Sequence, residues 1–245
     1  MIIHTVKGMI YFLTKGIKLK IAHIDIQNFR KLKTCRIDMA NESTIFVGAN
    51  NSGKTSAMDA MILFLKKSKQ KDISITDITL SNWSLIDELG NIWINENVED
   101  SPNLDLSLIT WHSVLPSLDI WLEIDKTQIH YASHILPTLD WDGELLGVRL
   151  QLEPKNVEEL YKTFMVAFNK AKETINGAEG SDTQLILWPT SMKDFLEKEL
   201  QGQMHIAAYI LDPAELDGNQ PQTLPTESEA LDKDPFEGLF KVDII

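Results

Sequence analysis

Eight consecutive residues carry the first chemistry this chain offers: Gly48, Ala49, Asn50, Asn51, Ser52, Gly53, Lys54 and Thr55, in the pattern G-x-x-x-x-G-K-[ST]. A glycine has no Cβ, so Gly48 and Gly53 permit the backbone angles and the close main-chain approach that a tight loop around an anion requires. Successive N–H groups of such a loop, backed by the positive end of a following helix, form a concave site for the α- and β-phosphates of a nucleotide. Lys54 then reaches the β- and γ-phosphates as a point charge, and the Thr55 hydroxyl coordinates Mg²⁺. Magnesium keeps several waters, so one hydroxyl plus phosphate oxygens is a sufficient shell. The candidate nucleotide-binding residues are Gly48, Asn50, Asn51, Ser52, Gly53, Lys54, Thr55 and Ser56, the candidate metal ligand is Thr55, and the expected ligands are ATP and Mg²⁺. A glycine turn that merely joins a strand to a helix would explain neither Lys54 nor the full spacing.

This mechanism needs a strand before the loop and a helix after it. "TIFVG" (Thr44–Gly48) is a short apolar run bounded by polar residues and glycine, which suits a fully buried strand. Beyond the loop, Ala57, Met58, Met61, Ile62 and Leu65 recur at three- and four-residue spacings, the stripe of an amphipathic helix. Lys66, Lys67, Lys69 and Lys71 follow; cations at the negative end of a helix dipole account for them, and a phosphate-backbone contact is the sharper alternative. Upstream, Ile21, Ile24, Ile26 and Phe29 in "LKIAHIDIQNF" approach a period of two, a strand, and "CRIDM" reads as a second.

Downstream, "ISITDITL" reads as a possible strand, "SNWSLIDELGNI" as a capped turn of helix and "NENVEDSPN" as a loop. "LDIWLEI", "IHYASHIL" and "LLGVRLQLEP" have the spacing of three strands in an antiparallel meander. "PKNVEELYKTFMVAFNKAKETING" is a helix with Leu160, Phe164, Ala167, Phe168 and Ala171 on one face, and "PTSMKDFLEKELQG" a second, capped by Thr190 or Ser191. "MHIAAYIL" is a strand. Residues 212–235 are acidic and proline-containing with little apolar periodicity, a long mobile loop, and "FEGLFKVDII" is a final strand.

With 245 residues and 43% apolar composition the chain can bury a core. The one cysteine, Cys35, excludes an internal disulfide framework and a multi-cysteine zinc site, and favours a reducing, cytoplasmic setting. The N-terminus is broken by Lys7 and Gly8 and lacks the span of about 20 apolar residues that a membrane helix needs; an extension or an added strand is expected over 1–17. Net charge is −13, unevenly spread: residues 1–71 carry 13 Lys and Arg against 4 Asp and Glu, and residues 72–245 carry 10 against 32. A basic head on an acidic body could set one face against phosphate, or simply reflect a solvated acidic surface.

"IDIQNFRKLKTCRIDM" followed by "TIFVGANNSGKTSAMDAMILFL" resembles the opening of ABC-class ATPases of the RecF, SMC and OLD-nuclease group, most of all the OLD-family ATP-dependent endonucleases. The likeness is specific over residues 19–65. It implies an α/β P-loop NTPase fold of ABC-ATPase type, N-terminal lobe, with a mixed sheet containing antiparallel strands and flanking helices. Its parts would be a strand pair, P-loop and first helix (18–71), antiparallel strands (72–153), and a helical part with the acidic loop 212–235 and final strand (154–245). It implies that Asn50 to Gly53 form the cradle, Lys54 binds phosphate and Thr55 binds magnesium. Asn28, Phe29 and Arg30 match the group's "NFR" motif, which offers Arg30 a place near the nucleotide or on the DNA-facing side; a surface cation closing a turn is the alternative. DNA, a homodimeric or larger assembly and a role in DNA processing or phage defence are implied partners and functions.

In the group, the Walker B acid, signature motif and nuclease cluster come later in the chain. Here no hydrophobic strand ends in Asp-Glu. Asp212, after "AAYIL", comes nearest, but Pro213 follows it and a turn residue is the better reading. The expectation is therefore a nucleotide-binding part of a larger ATPase, catalytically incomplete alone, with a non-hydrolysing nucleotide-sensing or partner-binding module as the alternative.

Overall fold

The computed structural model describes residues 2–5, 8–14, 16–96, 106–138, 141, 143, 145–177, 188–218, 220–225 and 227–244. Its larger sheet contains β3 (Leu19–Phe29), β4 (Leu32–Asp38), β6 (Ser117–Ile124), β7 (Leu146–Pro154) and β8 (Met204–Leu211), in the order β4-β3-β6-β7-β8 with every pairing antiparallel. A smaller sheet joins β5 (Ser43–Ile45), β1 (Ile2–Thr5), β2 (Gly8–Thr14) and β9 (Phe240–Ile244) in that order, with β5 parallel to β1. The N-terminal residues thus act as added strands that bridge the strand before the P-loop to the last strand of the chain.

Alternation along β3 places Ile24 and Ile26, both fully buried, on one face against Leu118 and Ile120 of β6. That face meets α1 (Lys54–Leu65), whose Phe64 ring stands edge-on to Phe29 at 6.4 Å. The helix is buried more widely than a narrow stripe, at Ser56, Ala57, Met58, Ala60, Met61, Leu63 and Phe64. Helices α3 (Trp83–Glu96), α5 (Val157–Gly177) and α6 (Met192–Gln203) share its core through Trp93, Phe164 and Phe195. Ser191 caps α6, its hydroxyl accepting from the Asp194 N–H at 3.2 Å. Two short helices, α2 (Lys67–Gln70) and α4 (Leu108–Val114), complete the set among the described residues.

The opposite face of the sheet is polar yet also buried. Asp25 accepts from Arg36 at 2.7 and 2.9 Å, Asp119 accepts from Arg149 at 2.6 and 2.7 Å, and His23 stacks on Trp121. Alternation in sequence normally separates a core face from a wet one. Here the acidic segment after β8 covers the second face: Leu224 packs on Trp121, Ala207, Tyr209 and Leu211, and the Gly218 carbonyl accepts from Arg36 at 2.9 Å. Bonds from Gln222 to both backbone groups of Asp212, and from the Leu231 N–H to the Ala208 carbonyl, fasten the same segment. The described residues of 212–235 therefore lie against the second face, fastened at Gly218, Gln222, Leu224 and Leu231, where an unanchored loop is expected from the sequence.

Four further expectations change. "IHYASHIL" forms 3-10 turns (Lys126–Tyr131 and Ser133–Ile135): Asp125 caps the first, and Ala132 and Ile135, three apart, are the residues buried. The third strand of the antiparallel run is instead β8, supplied after two helices. "ISITDITL" becomes two 3-10 turns, with a single bridge from Ile78 to Phe29, because Ser74 and Asp77 cap each other as a box. The described residues of 72–153, expected as antiparallel strands, therefore hold β6 and β7 among helices and turns. The expected loop at 95–103 begins inside α3, and residues 97–103 lie outside the described residues. No helix among the described residues is long and apolar enough to cross a membrane.

Candidate functional site

The strand leading into the glycine loop is not buried. β5 ends at Ile45, which is 64% exposed, and Val47 is 88% exposed. Among the described residues β5 pairs only with β1, so the apolar run lacks the neighbours that a two-sided burial would require. Only Phe46 turns toward the core. The strand expected over "TIFVG" is accordingly shorter and more open.

The loop itself has the geometry its residue types suggest. Asn51 (φ 69°) and Gly53 (φ 93°) are both left-handed, and Gly53 is the N-cap of α1, whose first bond runs from the Ala57 N–H to the Gly53 carbonyl. A glycine cap brings no side chain to the orphan N–H groups, and no acid lies in the first turn; the positive helix end is left to whatever the loop holds. At Gly48, a Cβ would stand 3.1 Å from Ser52 Oγ and 3.7 Å from Lys54 Nζ, inside the loop.

Lys54 folds its ammonium back into this space, donating to the carbonyls of Gly48 (2.5 Å) and Ala49 (2.6 Å) and to Ser52 Oγ (3.1 Å). Its charge is held where an anion could replace those oxygens. Thr55 is exposed beside it, and Ser56 is buried in the first turn. Lys31 and residues 50–56 line an open cleft of about 390 Å³.

Arg30 does not join them. It donates through Nε to Asp77 Oδ1 at 2.8 Å and through its terminal nitrogen to Asp59, its backbone N–H binds the Asp77 carbonyl at 2.7 Å, and its guanidinium lies 5.1 Å from the centre of the Phe29 ring. The arginine ties the β3–β4 turn to α1 and to the 3-10 turn at Ile75–Asp77. The next residue, Lys31, is the one that faces the loop, donating to the backbone oxygen of Asn51 at 3.3 Å and to its side-chain oxygen. Sequence reasoning passed over Lys31. The second strand, expected from Cys35, begins at Leu32 in the structure, so that Arg30 and Lys31 form a two-residue turn whose tip reaches the loop.

The other sequence candidates lie elsewhere. Asp212 Oδ1 accepts from the Ala214 N–H at 2.9 Å and caps a 3-10 turn (Pro213–Glu215). Lys66, Lys67 and Lys69 face Asp243, Asp234 and Asp72 at 3.7, 3.1 and 3.0 Å. On the polar side of the sheet, burial disfavours the charged form of Glu153, but bonds from His112, His205 and Tyr209 outweigh it and hold the carboxyl below its usual range. Burial and Arg36 lower His23 below an ordinary imidazole despite Asp25 at 3.7 Å, so the pair is not an ion pair at neutral pH. No group of three or more His, Cys, Asp or Glu among the described residues is arranged to hold a metal ion.

A mixed α/β fold in which a strand, a glycine loop and a helix place a lysine among ligand-ready backbone groups defines a P-loop nucleoside triphosphatase. The profile of the AAA ATPase domain matches residues 19–212, and the chain belongs to that family of ATP-binding domains. No curated protein matches it.

Proposed function

We propose that the chain binds ATP and Mg²⁺ through Gly48 and residues 50–56, as the N-terminal lobe of an ABC-type ATPase of OLD-like kind. One observation carries the reading: the Lys54 ammonium is already seated at the mouth of a left-handed glycine loop, on oxygens that a phosphate chain would displace. Thr55, exposed at the helix start, suits the magnesium shell; bound there, the ion would neutralise phosphate charge. The exposed run at Ile45 and Val47 supports a lobe that meets further strands. On this reading the water-orienting carboxylate that phosphoryl transfer requires comes from a further lobe or a second copy. A homodimeric or larger assembly acting on DNA, in DNA processing or phage defence, rests on the resemblance over residues 19–65 alone.

The second reading is a module that senses nucleotide without hydrolysing it. Asp212 favours it, since its carboxylate serves a turn.

Both readings share one test: Mg-ATP binding and phosphate release by the chain and by Lys54→Ala. A charge-assisted hydrogen bond contributes about 1.5–3 kcal/mol, so the variant should bind roughly 10- to 150-fold more weakly. Neither protein should turn ATP over. Magnesium-dependent turnover that disappears in Lys54→Ala would overturn the incompleteness, and a wild-type chain with no ATP affinity would overturn the site.

A further inference from the structure

Building on the nucleotide site proposed above, we infer that Lys31, at the tip of the β3–β4 turn, is a second phosphate-binding cation of that site, held in place by the left-handed backbone of Asn28 and Arg30 before it and by the packing of Leu32 after it.

Three observations converge on Lys31. First, it is exposed and lines the loop's cleft, its ammonium donating to both oxygens of Asn51, a residue of the loop. Like Lys54, it rests on neutral oxygens within the loop. A neutral carbonyl is the weaker partner for an ammonium than a phosphate oxygen, because the phosphate adds the attraction of its own charge to the bond.

Second, the turn that carries it is fixed at some cost. Asn28 (φ 53°) and Arg30 (φ 50°) are both left-handed without being glycine, a conformation that persists only where the surroundings over-determine it. Those surroundings are visible. Asn28 Nδ2 donates to the carbonyls of Ser113 (3.1 Å) and Leu115 (3.3 Å), and Arg30 is gripped by Asp77 and Asp59. Leu32, on the far side of Lys31, lies against Gly53 so closely that a Cβ there would stand 2.9 Å from Leu32 Cδ2. The residues before and after Lys31 are therefore locked to the body of the fold and to the P-loop.

Third, among the described residues the bonds Lys31 makes are to Asn51, and no ion pair to a carboxylate joins them. Arg30 and Arg36, its neighbours on the same hairpin, are each committed to carboxylates. A cation delivered to the P-loop by a fixed turn and bonded, among the described residues, to amide oxygens has the chemistry of a ligand for the phosphate chain rather than for the base or ribose.

The test measures binding of ATP and of inorganic triphosphate to the wild-type chain and to Lys31→Ala, Lys31→Arg and Lys33→Ala. Lys33 is exposed on the same hairpin and controls for general electrostatics. Lys31→Ala should weaken both ligands by about tenfold, with a shallower salt dependence; Lys31→Arg should recover most of the loss; Lys33→Ala should stay within twofold of wild type. Thermal unfolding of Lys31→Ala should match wild type, since the side chain is exposed. Wild-type affinity in Lys31→Ala beside a large loss in Lys54→Ala would overturn the inference and leave the nucleotide site standing. Loss for ATP but not for triphosphate, or an equal loss in Lys33→Ala, would also overturn it. Absence of binding by the wild-type chain would remove both the inference and the reading it rests on.

Discussion

Replacing Arg30 by methionine separates a structural cation from a ligand-binding one. The guanidinium serves two carboxylates of unequal burial. Asp77 is 3% exposed and keeps two other donors, the Ser74 N–H at 2.9 Å and the Ser74 hydroxyl at 3.2 Å. Asp59 has a third of its side chain in solvent, as Arg30 itself does. Removing one partner of a fully buried ion pair costs about 3–5 kcal/mol. Here the two Ser74 donors continue to solvate Asp77 and water screens the arginine, which brings the Asp77 share to about 2 kcal/mol. The exposed Asp59 pair adds at most about 1 kcal/mol. Arg30→Met keeps an unbranched stem while removing the guanidinium, and should therefore lose about 2–3 kcal/mol.

Urea unfolding reads this directly, with the midpoint moving at unchanged slope. In double-mutant cycles, coupling of Arg30 to Asp77 (with Asp77→Asn) should reach about 1–2 kcal/mol and exceed its coupling to Asp59 (with Asp59→Asn), which should stay below about 1 kcal/mol. The reasoning is refuted if Arg30→Met unfolds at the wild-type urea concentration while its ATP affinity falls as far as that of Lys31→Ala. That result would return the guanidinium to the ligand.

Two further substitutions probe the loop and the buried polar face. Gly53→Ala must hold an L-residue at φ 93°, which costs roughly 1–2 kcal/mol. The clash with Leu32 is with the end of a flexible side chain, so adding Leu32→Ala should not restore stability in urea unfolding. His23 is held below its ordinary pKa of 6.5, first by burial and then by Arg36, against the opposing pull of Asp25, Asp38 and Asp119. Below pH 6.5 the unfolded chain takes up a proton that the folded one refuses, so this group's contribution is fully present above that pH and declines as pH falls. The slope from His23 is at most about 1.4 kcal/mol per pH unit. Stability measured between pH 7.5 and 5.5 should fall less steeply in His23→Gln than in wild type; parallel curves would contradict a neutral His23.

The P-loop could be read from sequence because its mechanism is local: two glycines, a lysine and a helix start act within a dozen residues. The long elements were equally open to reading, since β3, β6, β7, α5 and α6 each repeat their own period for long enough to outweigh accident. "IHYASHIL" misled because eight residues with apolar positions at mixed spacing satisfy both a strand and two 3-10 turns, and the Asp125 cap decides between them. β5 misled for a different reason. Its composition describes the burial that suits it, whereas its exposure is set by which strands lie beside it, a fact of chain segments far away.

The polar face of the large sheet shows the same dependence in reverse. Asp25, Asp119 and Arg149 alternate with apolar residues as a wet face would, yet each is at most 4% exposed. An alternating pattern marks only that two faces differ. Whether the second face is dry depends on the covering segment, and the described residues of 212–225 supply that cover without any periodicity of their own. The acid-rich composition of this segment suggested mobility, but its anchors are a few specific groups: Gly218 on Arg36, Gln222 on Asp212, and Leu224 on Trp121. Lys31 was hidden by the same kind of rule. Its type and exposure are unremarkable, and its meaning comes from the fixing of Asn28, Arg30 and Leu32 around it. What sequence pattern reports well is what neighbouring residues do to one another. The cation over the loop and the cover over the sheet are both made by tertiary placement, and substitutions there test the fold and the site at once.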